Sequence, residues 1–107
     1  MSTNRRNTNT EAMKFLEALR GGPLSVGQMI ESVRRTDDIS QVELARRMKI
    51  SRAHLCDIEK GRRTVHPERA AAFARVLGYS VNQFVAVAVE DELRKAGLAV
   101  RVRLDAA

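Results

Sequence analysis

Two serines eleven positions apart, Ser40 and Ser51, set the tightest limit on what this chain can fold into. Each stands where a helix would begin, and only one short helix fits between them. Ser40 is followed three residues later by Glu43, a capping-box pattern in which each side chain satisfies the other's free backbone N–H. Val42, Leu44, Ala45 and Met48 then recur at mixed three- and four-residue steps, while Arg46, Arg47 and Lys49 fall on the other side. This predicts a helix that stops near Lys49. Ile50 is apolar and can plug the corner, Ser51 caps the next helix, and Leu55 and Ile58, with Cys56 beside them, mark its inner face. Gly61 ends it. Helices with starts this close cannot run antiparallel over any length and must cross steeply, which leaves one of them protruding.

The outer side of the protruding helix carries Arg52, Ala53, His54 and Asp57, short or polar residues in its first two turns. There an α-helix entering a DNA major groove would present side chains to base edges. Lys60, Arg62 and Arg63 follow as phosphate-seeking charges. The stretch SQVELARRMKISRAHLCDIEKGRR resembles the helix-turn-helix of the Cro and lambda-repressor-like (XRE-type) DNA-binding family. Gln41 matches the Gln that opens the first motif helix, Ala45 the small residue facing the turn, Ser51 the recognition-helix start, and Ile58, Glu59 and Gly61 the I-E-x-G ending. The resemblance implies that Gln41 hydrogen-bonds a phosphate and that Glu59 pairs in the interior with Arg34. At the corner, where the family usually carries Gly, this chain has Lys49, so a strained or differently shaped turn is expected.

A length of 107 residues and 44% hydrophobic content allow one core. The net charge of +6 suits an anionic partner. Within Ser40 to Arg63, seven Arg and Lys stand against three Asp and Glu, so a net +4 lies in the motif. A single cysteine, Cys56, excludes an intrachain disulfide and leaves too few thiols for a structural zinc site; core packing is its simplest role. His54 and His66, twelve apart and without a nearby carboxylate pair, form no metal or nucleophile constellation. No catalytic residue, metal or cofactor is expected. No apolar run is long enough for a membrane span and no secretory leader is recognisable, so the cytoplasm is the expected location.

Residues 1–9, rich in Asn, Thr and Ser, read as a disordered arm. Arg5 and Arg6 in it are either plainly solvated or a minor-groove arm. Residues 10–22 read as an accessory amphipathic helix built on Ala12, Phe15, Leu16 and Leu19. Residues 23–97 form the expected DNA-binding domain: a helix from Ser25 to Thr36 with Val26, Met29, Ile30 and Val33 on one face, then the two motif helices. Pro67 opens a fourth helix, Glu68 to Leu77, with Ala71, Phe73, Ala74 and Leu77 inward, and Gly78 caps it. A fifth runs from Ser80 to Ala96; the alternation over Phe84 to Val89 also allows a strand, but Glu90 to Lys95 continues the helical character. Its FVAVAV centre is apolar too far round for one core, which assigns Phe84, Val85, Val87 and Val89 to a dimer interface. In residues 98–107, Val100, Val102 and Leu104 alternate with Ala99, Arg101 and Arg103, the period of a β-strand. With no second strand in the chain, its partner would be another copy or another protein; the alternative is a frayed tail.

The expected architecture is therefore all-α: a five-helix lambda-repressor-like domain with an extra N-terminal helix and a short C-terminal strand used in dimerisation. The expected function is a homodimeric regulator, a repressor in the simplest case, reading a pseudo-palindromic operator in double-stranded DNA. Arg52, Ala53, His54 and Asp57 would read bases, and Gln41, Ser51, Lys60, Arg62 and Arg63 would contact phosphates. The competing reading is an antitoxin-type interaction module, which captures a partner protein, a toxin or another regulator, and autoregulates its operon.

Overall fold

The computed structural model describes residues 24–105. The arm and the accessory helix expected over residues 1–22 lie outside the described residues. Five helices follow in order: α1 Val26–Thr36, α2 Gln41–Met48, α3 Arg52–Glu59, α4 Pro67–Leu77 and α5 Val81–Lys95. Their starts are chemical. Ser25, Ser40, Ser51 and Ser80 each accept a hydrogen bond from the backbone N–H three residues on, which satisfies one of the donors a helix leaves free. α4 starts differently: Pro67 supplies a fixed φ, and His66 stands at the cap without a side-chain cap bond.

The reciprocal capping box forms elsewhere than expected. At α1 Gln28 returns its side chain to the Ser25 N–H, whereas at α2 Glu43 turns to two arginines: its carboxylate accepts from Arg46 and Arg47. Two charge-assisted partners outbid one backbone N–H.

Met29, Ile30, Leu44, Leu55, Ile58, Phe73 and Phe84 are among the fully enclosed side chains around which the helices close. α4 and α5 form the most extensive pair, and α5 also packs on α1. Being covered from two sides, α5 needs more apolar surface than a one-sided helix. Within its FVAVAV centre, Phe84 is completely buried in the chain's own core and Val87 is only 8% exposed. Both are thereby off any outer stripe, and Val85 and Val89 are half-buried. Val42, counted among the apolar face of α2, is 62% exposed.

The predicted C-terminal strand does not form. Residues 98–105 carry no ladder, and no β-strand occurs among the described residues. A strand needs a neighbour, and every other described segment is a helix or a short connection. Instead α5 takes the tail's backbone groups. Glu90, itself 5% exposed, accepts from the Val102 N–H at 2.7 Å. Asn82 Nδ2 donates to the Leu104 carbonyl at 3.2 Å, so the tail folds back along α5. Val100 and Leu104 stay exposed and Val102 is half-buried; the shared sheet assigned to these three is removed with the strand.

At the corner between α2 and α3, Lys49 takes the left-handed conformation, φ 58° and ψ 41°. The backbone has kept the shape that glycine would take, and lysine bears the strain, about 1–2 kcal/mol for an L-residue. Lys49→Gly should therefore stabilise the fold by about 0.5–1 kcal/mol after the extra freedom glycine gives the unfolded chain. Thermal unfolding followed by circular dichroism would show a midpoint raised by roughly 3–6 °C.

Candidate nucleic-acid interface

α3 divides its side chains sharply. Leu55, Ile58 and Glu59 are buried, Arg52 and Ala53 are exposed, and His54, Cys56 and Asp57 are half-buried between them. The helix is held from behind by an internal ion pair. Arg34 on α1 donates through Nε to Glu59 Oε2 at 2.7 Å and through Nη2 to Glu59 Oε1 at 3.1 Å, the two-pronged geometry that guanidinium and carboxylate share. Its third nitrogen, Nη1, donates to the Ile39 carbonyl at 2.9 Å. Gln41 Nε2 at the start of α2 donates to Glu59 Oε1 at 2.9 Å. One carboxylate thus ties together α1, the start of α2 and the end of α3.

This network bears on Gln41 as a phosphate contact. One of its two amide N–H groups is already engaged by Glu59, which leaves the second for an external acceptor. Ser51 is exposed; its oxygen accepts from the His54 N–H at 3.0 Å, and its O–H remains free to donate.

After α3 the chain turns through Lys60 and Gly61, and the Asp57 carbonyl accepts from both the Arg62 and Arg63 N–H groups, at 2.8 and 3.3 Å. The Asp57 carboxylate receives Arg62 Nε at 3.0 Å. Asp57 therefore shapes the basic loop as well as standing on the outer face of α3. Lys60, Arg62 and Arg63 are all exposed. On α2 the Glu43 carboxyl is held down to about 2 by its hydrogen bonds from Arg46 and Arg47, so it stays ionised at any ordinary pH and keeps both guanidinium groups on the helix surface.

Cys56 is half-buried rather than enclosed, and borders a groove lined from α1, α2 and α3 together with Gln41, Val42 and Arg52. One residue near the interface gave no sign of itself in the sequence. Arg69 on α4 places Nη1 2.9 Å from His54 Nε2. Nothing in its spacing marks it, because Arg69 stands 15 residues beyond His54 and only the tertiary fold brings the two side chains together. Among the described residues, no three His, Cys, Asp or Glu are grouped to hold a metal, and no helix is long and apolar enough to cross a membrane.

Two capped helices about a left-handed corner, with a basic loop after the second, are the geometry of a DNA-binding helix-turn-helix. The helix-turn-helix family profile matches residues 30–84, from α1 into α5. The chain belongs to the helix-turn-helix family, in its Cro and lambda-repressor (XRE) type. Over 62 residues it is 36% identical to an immunity repressor protein of Bacillus phage phi105, an alignment covering 58% of this chain and 43% of that protein. The chain thus spans less than half the length of this curated relative. The helix-turn-helix domain is also similar to the crystal structure of the clp gene regulator ClgR from Corynebacterium glutamicum. The TM-score is 0.53 at 28% identity, over 67% of this chain and 77% of that one.

Proposed function

We propose that this protein is a sequence-specific regulator of transcription that binds an operator in double-stranded DNA as a homodimer and represses. The observation that carries the reading is the split of α3: three buried residues fix the helix to the body, while Arg52 and Ala53 stand free on its outer side. A short helix anchored in this way can enter a major groove without rearranging. Arg52 presents the paired N–H donors that suit guanine O6 and N7, and Ala53 suits a thymine methyl. Ser51, Lys60, Arg62, Arg63 and the second amide N–H of Gln41 supply phosphate contacts around them. Repression is the sign suggested by the phage relative's name, and the cytoplasm is where such an operator would be met. A two-fold operator follows from the single recognition helix per chain, since half-sites about one helical turn apart need two copies.

Selection of bound duplexes from a random pool at two salt concentrations tests this directly. The expected product is a two-fold symmetric consensus, and Arg52→Ala should relax one base position in each half-site by about 1–3 kcal/mol. An affinity that collapses with salt and selects no sequence would sink the reading in favour of non-specific electrostatics.

A further inference from the structure

The contact between His54 on α3 and Arg69 on α4 has one chemical reading. A guanidinium has only donors, so at 2.9 Å the His54 Nε2 must be the acceptor. An accepting Nε2 in a neutral ring places the proton on Nδ1. The ring's remaining nitrogen is then a donor, fixed as such by the bond the other nitrogen makes.

We infer that Arg69 is a positioning residue for base readout: it locks His54 in the neutral Nδ1–H tautomer, so that the recognition helix offers a donor there and selects a base edge that accepts. The inference rests on α3 being the base-reading helix. In the major groove, acceptors are guanine N7 and O6, adenine N7 and thymine O4, whereas the amino groups of adenine and cytosine are refused. Arg52 is also a pure donor. Two successive donors would thus favour acceptor-rich steps in the half-site.

The surroundings favour the neutral ring. Burial lowers its pKa first, the Arg63 and Arg69 charges add to this, and only Asp57 opposes them. His66 and Glu68 border the same open depression. His66 turns its Nδ1 to Glu92 on α5, at 3.1 Å. Protonation would put a second proton on Nε2, where Arg69 already donates, so the lock and the neutral state support each other.

The test has two arms on the full chain. Without DNA, two-bond proton–nitrogen correlations of the imidazole rings, assigned with His54→Ala, should show His54 as the Nδ1–H tautomer in the parent protein. In Arg69→Met they should show a shift toward Nε2–H and a raised ring pKa. With DNA, duplex selection should show His54→Ala and Arg69→Met relaxing the same base pair, by about tenfold in preference, with the Arg52-dependent position unchanged. An unchanged tautomer in Arg69→Met would overturn the coupling. Uniform loss of affinity in both variants, with the consensus intact, would overturn base readout in favour of a phosphate contact. A parent protein that selects no consensus would overturn the operator reading and the readout with it, while the arm without DNA still decides the coupling alone.

Discussion

Glu59→Ala is expected to cost about 3–5 kcal/mol, the range for removing one partner of a buried ion pair. The loss is large because Glu59 is 4% exposed and serves two side chains at once. Without it the Arg34 guanidinium, 8% exposed, keeps its charge in the interior with only the Ile39 carbonyl for company. A domain of this size has a total stability of roughly 5–15 kcal/mol, so much of the margin goes with one carboxylate. Urea unfolding followed by circular dichroism measures it. The double substitution Arg34→Met with Glu59→Leu removes both charges and should recover most of the loss, since a well-packed apolar pair is often as stable as the ion pair it replaces. A single-variant cost below about 1 kcal/mol would show that the pair does not hold α1 to α3.

Gly27→Ala is expected to destabilise the fold by about 1–3 kcal/mol, against the gain of roughly 1 kcal/mol that alanine brings to an ordinary helix position. A Cβ at Gly27 would lie 2.1 Å from the Ile58 carbonyl oxygen, 3.1 Å from its carbon and 3.4 Å from the Glu59 Cα. These are backbone atoms of α3, which no rotamer change can move. α1 and α3 must separate, and α3 is the helix proposed to read bases. The variant should therefore lose operator affinity even at temperatures where it remains folded, which binding measured well below its unfolding midpoint would show. An alanine variant as stable as the parent, with unchanged affinity, would mean that the two helices can move apart freely.

Much of this architecture is legible in residue order because its causes are local. Four serine caps, Pro67 and the three- and four-residue apolar steps place the described helices to within a residue or so. Lys49, where the family usually carries Gly, raises the expectation of a strained or differently shaped turn, and the residue is left-handed. What escapes the sequence is non-local. The alternation of Val100, Val102 and Leu104 is real, yet period two makes a strand only where a ladder exists, and the chain offers Glu90 and Asn82 instead. The broad apolar girth of α5 has a partly internal cause, since α4 and α1 pack on this helix and Phe84 and Val87 are buried. Arg69 and the capping by Asp91 of the Val26 N–H, 65 residues away at 2.8 Å, are products of tertiary packing that no spacing encodes.

The division of labour along α3 has a consequence for how this protein can change. Arg52 and Ala53 are exposed, so substitutions there should shift stability by no more than about 0.5 kcal/mol while rewriting the preferred operator. The scaffold then behaves as a socket with interchangeable contacts, free to acquire a new target in one step without passing through an unstable intermediate. Position 54 is the exception, because its chemistry is set from another helix: a new residue there inherits Arg69 as a neighbour. Retargeting at that point is a two-residue problem, and lineages that drift at 54 should be found to drift at 69 as well.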